Sequence, residues 1–338
     1  MTTMVRSKMM SSLTWFRTWL RSAVVFGLAV GTVGPATGQT YPTKPIKLIS
    51  PNSAGSVPDA LLRLVGTQLA DHLGQSVTIE NRPGGGTTIA TKAGATADAD
   101  GYTLLQASSA LLYTTVLYPN AGYDPHTSFA PVATLASWSH LLVVPASIPA
   151  NTVQEFVAYA KSKPGQLSIG FPLGAAPQVL AETFKNVTGA PLNSVPYRQV
   201  PQLTSDLLGD RVHAFFGAGT GLVSLVQQGK LKALAYTGLT RYAALPQVPT
   251  AIEAGIPQLA LNPTDWTSVL APAGTPAAVV TTLNQAINHA LKSPDIQAGI
   301  ARQGGEARAT TPQEFAIFLA AEAKKWPPLV KAAKMQPE

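Results

Sequence analysis

The residues best placed for chemistry in this chain form a run of small side chains, Asn52-Ser-Ala-Gly-Ser-Val-Pro-Asp59, between a strand pattern at 46–50 and a helical pattern at 59–73. A helix N-terminus leaves backbone N–H groups unpaired at the positive end of its dipole, so the loop made by Asn52, Ser53, Ala54, Gly55, Ser56, Val57 and Asp59 is suited to receive an anion. Ser56 and Asp59 have capping-box spacing, with Pro58 in the first helical turn. A similar loop, Pro172-Leu-Gly-Ala-Ala-Pro177, precedes a helix that starts at Gln178, and a third strand pattern ends at Ser108-Ser109. Taken alone, the first loop reads equally well as an ordinary capped connection. Its repetition shifts the balance toward binding.

Catalytic signatures are missing from the sequence: no Gly-x-Ser-x-Gly elbow, no His-Glu-x-x-His, and no Walker loop ending in Gly-Lys-Ser or Gly-Lys-Thr. His72, His126, His140, His213 and His289 are far apart in sequence, without metal-ligand spacing, and are read as surface or structural residues. Gly217-Ala-Gly-Thr-Gly221 lacks the spacing and the acidic partner of a dinucleotide loop and is read as a flexible loop at a cleft edge. Gly84-Gly-Gly86 reads as a tight turn.

Residues 1–38 carry Arg6, Lys8, Arg17 and Arg21 and no acid, then a short apolar run and Ala36-Thr-Gly38. That is the pattern of a cleavable secretory leader, with the cut expected after Gly38, and its apolar run is short of the roughly 20 residues that span a bilayer. Subtracting those four charges from the formal +7 leaves +3, with Lys and Arg scattered, so nucleic acid is not an expected partner. With no cysteine there is no disulfide framework, no thiolate and no lipid attachment site, and the mature chain is expected to be soluble. A composition 46% hydrophobic and 12% charged fits a compact globular protein rather than a disordered one.

The elements alternate. Strands are expected at 46–50, 77–80 and 102–106, with helices at 59–73 and 87–97; a second lobe then opens at 141–144. It continues with a helix over 153–163 started by Thr152 and Glu155, a strand at 167–171 and a helix at 178–187. Beyond these come a helix at 201–208, strands at 212–216 and 233–236 around a helix at 222–228, and an extended return at 264–271. Helices at 281–292 and 312–326 close the first lobe. The fold class is α/β with a mostly parallel, helix-covered sheet in each of two lobes, the first discontinuous (39–139 with 264–338), the second 140–263, and two crossings as a hinge.

The residues resemble the periplasmic solute-binding receptors of tripartite tricarboxylate transporters, the Bug receptors. The resemblance runs through Tyr41-Pro-Thr-Lys-Pro-Ile46, 51–59, Glu80-Asn-Arg-Pro-Gly84, Asp100-Gly-Tyr-Thr-Leu-Leu105, Tyr123-Asp-Pro125, Val195-Pro-Tyr197 and Asp206-Leu-Leu-Gly209. It continues in Gly229-Lys-Leu-Lys-Ala-Leu-Ala235, Leu245-Pro-Gln-Val-Pro-Thr250 and Leu270-Ala-Pro-Ala-Gly-Thr-Pro276. So many colinear matches are far more specific than one motif. The resemblance implies a clamshell binding protein, not an enzyme, that closes on a small carboxylate and presents it to membrane permease subunits. It implies ligand contacts from Asn52 to Asp59, with a matching second-lobe loop of Gly174, Ala175, Ala176 and Gln178, and it marks Tyr197; Ser108 and Ser109 are expected to line the same cleft. It implies a periplasmic monomer with no cofactor, metal or nucleic acid.

The sequence also departs from the family pattern. Ser56 replaces the second of two usual glycines, the second loop lacks the usual Ser, Thr and Asn and ends in Gln178 instead of His, and two usual acids are His213 and Gly217. With Val57, Leu173 and Val200 added, a more apolar cleft is expected, suited to a ligand with a hydrocarbon or aromatic body. Asp59 is expected to orient the first loop, since it would repel an anion. The alternatives are a secreted hydrolase of a small ester or glycan, and a sensor that binds the same ligand but signals.

Overall fold

Ile46, Leu48 and Ile49 are all buried, so the first strand, β1 (Ile46–Ser50), has to be covered on both faces. A computed structural model describes residues 41–261, 264–333 and 335; the expected leader lies outside them. After β1, helix α1 (Val57–Leu73) turns Leu61, Leu62, Val65 and Leu69 into the core, and Gly74 at φ +66° ends it by donating its amide to Ala70 O. Strand β2 (Val77–Asn81) leads to Gly84, Gly85 and Gly86, all at positive φ. That turn delays the expected 87–97 helix, which follows a single 3₁₀ turn as α2 (Thr88–Ala95). Strand β3 (Thr103–Ser108), helix α3 (Ala110–Leu117) and strand β4 (Phe129–Trp138) complete this stretch. The sequence patterns did not mark α3, whose first turns are buried all round and so have no polar face to reveal a period.

The chain then builds β5 (Leu141–Pro145), α4 (Val153–Ser162), β6 (Ser168–Pro172), α5 (Ala176–Thr188), β7 (Asn193–Tyr197), α6 (Val200–Leu208), β8 (Ala214–Gly217), α7 (Thr220–Gln227) and β9 (Leu231–Tyr236). The expected start signal of α4 is present, with Thr152 Oγ1 accepting from Glu155 N at 3.1 Å. After returning, the chain forms β10 (Asp265–Pro272), α8 (Ala277–Ala290), α9 (Pro294–Arg302), β11 (Gly305–Ala307) and α10 (Pro312–Ala332). Helix α10 runs through Pro327 and Pro328, past the expected stop at Trp326, because Trp326 and Val330, one turn apart, are both anchored in the core.

Among the described residues the strands form a six-stranded sheet, β11-β4-β10-β3-β1-β2, and a five-stranded sheet, β7-β6-β8-β5-β9. β1 is parallel to β2 and β3, and β6 is parallel to β7 and β8. β10 runs antiparallel between β3 and β4, as β5 does between β8 and β9. The sheets are thus mixed, each with a reversed strand at the point where the chain enters from the other lobe. The two crossings are stitched together: Thr237 N donates to His140 O (2.9 Å), Thr237 Oγ1 and Thr264 Oγ1 share a 2.6 Å bond, and Thr264 N donates to Trp138 O (3.1 Å).

Each sheet is packed on both faces. Leu142 and Val144 join Phe156 and Phe184 on one side of the second sheet, while Leu141 and Val143 join Leu203 and Phe215 on the other. Leu48 packs with Leu62 and Leu283, and Ile49 lies in a cluster with Leu111, Trp266 and Trp326 that also takes Ala176 and Val179 of α5. The start of α5 is therefore buried in the other lobe's cluster. Phe184, fully buried, lies 6.2 Å from Phe156 and 6.0 Å from Phe216 between ring centroids. Phe184→Ala is expected to destabilise the protein by about 3–5 kcal/mol, read as a lowered urea midpoint.

Candidate functional site

The first loop is built around an amide bond to a side chain ahead of it. Gly55, at φ +77°, donates its N–H to Asp59 Oδ2 at 2.9 Å. Asp59 is 0% exposed and is held from three sides, since Arg63 Nε donates to the same oxygen (2.9 Å) and Asn81 Nδ2 to the other (2.7 Å). Burial pushes its carboxyl up, but the bonds from Arg63, Asn81 and Gly55 outweigh that and hold it below the usual carboxylate range. Asn81 also donates to Asn52 O (2.9 Å), and Asn52 Nδ2 reaches Gln106 Oε1 (2.9 Å), pinning the loop to β2 and β3. Ser53 and Ala54 are exposed, and Ser53 O accepts Ser56 N in a turn.

The capping box expected at Ser56 and Asp59 does not form. Ser56 is the N-cap of α1 but its side chain caps nothing, and the reciprocal bond is missing because the Asp59 carboxylate is committed to Gly55, Arg63 and Asn81. Ser56 Oγ is buried and has no hydrogen-bond partner among the described residues. Pro58 in the first turn contributes no donor, and the remaining first-turn amides of α1, beginning at Val57, have no intrahelical acceptor.

The second loop repeats this geometry. Gly174, at φ +70°, donates its N–H to Gln178 Oε1 at 2.9 Å, Ala175 is the N-cap with ψ 164° against 160° at Ser56, and Pro177 matches Pro58. Both loops thus read Gly-x-x-Pro-(Asp or Gln), a match that the aligned sequence segments already contain. Ala176 is fully buried and Gln178 nearly so.

Ser108, Ser109 and the second loop are brought together by α3. Ser108 Oγ accepts Ala110 N, Ser109 starts the helix and donates its hydroxyl to Asp265 Oδ1 (2.6 Å), and one turn on Tyr113 OH donates to Gly174 O at 2.7 Å. That last bond joins a first-sheet helix to the second-sheet loop. Tyr197 is split: its carbonyl accepts Leu173 N (3.0 Å), but its hydroxyl turns away to Asp206 (2.9 Å), and burial, then Asp206, pushes its pKa up to about 12. Asn81, Gln106 and Tyr113 were not expected as site residues. Gln106 had a signal, a polar side chain in the buried centre of a strand, between Leu105 and Ala107. The Gly217–Gly221 segment is packed rather than loose, because Gly219 N-caps α7 against Arg302 O and Thr220 Oγ1 donates to that carbonyl (3.2 Å).

The model of the family described as "Tripartite tricarboxylate transporter family receptor" matches residues 61–335. The chain belongs to this family. As a member it has the two-lobed clamshell fold of non-catalytic binding proteins, and among the described residues no three ligating side chains gather to hold a metal. It is 33% identical to Protein BugT of Bordetella pertussis, over 92% of this chain and 97% of that one. An R. palustris protein solved with adipate is 33% identical with a TM-score of 0.75, covering 88% of this chain and all of that one. MatC from Rhodopseudomonas palustris, solved with bound malate, is 28% identical with a TM-score of 0.72, covering 86% and 100%. Family membership supports a periplasmic location.

Beneath Ser109 in this family member lie two acids, the partly buried Asp265 and the buried Glu322. Trp266 Nε1 and Trp326 Nε1 both donate to Glu322 Oε2 at 2.9 Å, and Lys325 pairs with Oε1 at 2.5 Å. Burial, reinforced by the nearby Glu322 charge, pushes the Asp265 carboxyl up to about 6 although Ser109 and the Trp266 amide donate to it. A carboxyl whose folded pKa is raised above its unfolded value stabilises the fold below that unfolded value, and the gain is lost as pH rises through about 6. Asp265→Asn, which keeps an oxygen acceptor without the charge, is therefore expected to gain on the wild type in thermal midpoint between pH 4.5 and pH 8. Parallel midpoints across that range would show that Asp265 ionises freely.

Proposed function

We infer that this chain is an extracytoplasmic receptor that captures a small organic acid with a hydrocarbon body between the Gly55 and Gly174 loops and delivers it to membrane permease subunits. The reading rests on one observation, the twin loops. In each, a side chain four residues ahead takes the glycine amide, which fixes the loop while the first helical amide, of Val57 or Ala176, has no intrahelical acceptor. The unpartnered Ser56 hydroxyl adds a donor at the first loop. Charge-assisted hydrogen bonds contribute roughly 1.5–3 kcal/mol each, so three or four approach the roughly 8 kcal/mol of a micromolar complex. An arginine clamp is not needed.

The hydrocarbon body is supported by apolar side chains left open near the second loop, Leu173 at 41% and Val200 at 43% exposure. It is supported too by the likeness to the protein solved with adipate, whose two carboxylates flank a methylene chain. In this reading residues 1–38 are a cleaved leader. The lobes (39–139 with 264–338, and 140–263) close on the ligand about the stitched crossings, and Asn52 to Val57, Ser108, Ser109 and Gly174 to Gln178 face it, while Asp59 orients the first loop.

Calorimetry against a panel of linear dicarboxylates, aromatic acids and citrate tests the reading. Micromolar binding of adipate or a similarly apolar acid is expected, with citrate at least about ten-fold weaker; tight citrate binding without the others would overturn the ligand class, and turnover of any panel member would favour a hydrolase. Ser56→Ala is expected to weaken binding about five- to ten-fold, the loss of one hydrogen bond. Asp59→Ala should also weaken binding, by loosening the loop, and unchanged affinity would remove Asp59 from that role.

A further inference from the structure

The peptide that joins Gly174 to Ala175 is trans, so its C=O and the Ala175 N–H point in opposite directions. Glycine tolerates many backbone angles, and Gly174 already stands at φ +70°, so the plane of this peptide is not set by local sterics. Whatever holds its oxygen therefore aims the amide. The holder is Tyr113, whose hydroxyl donates to Gly174 O at 2.7 Å from helix α3 of the first sheet.

Tyr113 is a firm point to hang a loop from. It is buried, its ring lies 5.6 Å from that of Trp326, and Trp326 Nε1 is bound in turn to Glu322 at 2.9 Å. One turn earlier Ser109 anchors α3 to Asp265 at 2.6 Å. The Gly174 carbonyl is thus turned toward α3, and the Ala175 N–H points away from it, with no acceptor among the described residues. Ala175 itself is only half-buried. The first loop differs at the matching place, since Ser56 N, the amide after Gly55, donates to Ser53 O at 3.2 Å. The amide that follows the glycine is taken in one loop and open in the other.

We propose that Tyr113 is a positioning residue which, by holding Gly174 O, aims the Ala175 N–H at a carboxylate of the bound acid. The inference rests on the receptor reading above and adds to it one donor and the side chain that orients it. Without the Tyr113 hydroxyl the Gly174 oxygen loses its partner and the peptide is free to turn it toward the anion, so that an attracting dipole becomes a repelling one. The first loop has no such dependence, because its corresponding amide is fixed within the loop.

The test follows amide proton shifts of the full mature chain on saturation with adipate, with calorimetry of the same titration, in the wild type and in Tyr113→Phe, which keeps the ring and loses the bond. In the wild type the Ala175 amide proton is expected to move downfield. Tyr113→Phe is expected to bind adipate at least about ten-fold more weakly, with a smaller shift at Ala175 and an undiminished one at Val57. Undiminished affinity, or weaker binding with both shifts retained, would overturn the inference, the latter because it marks a merely structural Tyr113. Wild-type shifts in the Gly55 loop with none at Ala175 would overturn it while sparing the receptor reading, and this arm needs no variant. Shifts in neither loop would overturn both, a result told apart by the silent Gly55 loop.

Discussion

A glycine amide held by the side chain four residues ahead is the constraint on which both strand-to-helix junctions rest. At Gly55 and at Gly174 the chain must leave a buried strand and enter a helix within a few residues, and positive φ makes that turn possible without a strained Cβ. The glycine amide is satisfied by Asp59 or Gln178, and at the second junction the Gln178 amide also turns back to Ala175 O at 3.0 Å. Proline in the first turn removes a donor that would otherwise have to be solvated or capped. What is left at the positive end is the Val57 amide of the first helix and the Ala176 amide of the second.

The two junctions are equal in geometry and unequal in charge. Asp59 brings a negative charge to the first, and Arg63, on the next turn of the same helix, balances it at 2.9 Å, while the second uses neutral Gln178. Neither therefore presents an uncompensated acid to an anion. Tyr113 ties the second junction to the first sheet through Gly174 O, and its ring lies 5.6 Å from Trp326, whose indole shares Glu322 with Trp266. Polar groups behind the candidate site are thus fastened to one another, which keeps the Asp265 and Glu322 charges turned inward.

Much of this was legible in the sequence, because β1, α1, β6 and α5 carry regular apolar periods and the loops between them are made of small residues. The side-chain bonds that set the loops were not. Ser56 and Asp59 matched a local capping pattern, yet Arg63, at i+4 on the same helix, and Asn81, 22 residues further on, claim the carboxylate; the first has a helical spacing, but the second has no signature in spacing. Tyr197 likewise sits in a recognisable motif, but its hydroxyl is drawn to Asp206 of α6. Helix α3 escaped notice because its first turns are buried on all sides, and α10 outran its prolines because tertiary burial of Trp326 and Val330 outweighs local propensity.

The relation between the lobes is fixed away from the loops. Thr237 and Thr264 bind the two crossing segments side by side, and close by Gly219 meets Gly304 so tightly that a Cβ on Gly304 would sit 2.5 Å from Gly219 N. Here the N-terminus of α7 faces the C-terminus of α9, with Thr220 Oγ1 on Arg302 O, so the two dipoles meet with opposite signs. A backbone contact without intervening side chains tolerates little change in angle before it either clashes or opens. A rotation of one sheet against the other would therefore have to be accommodated at this contact.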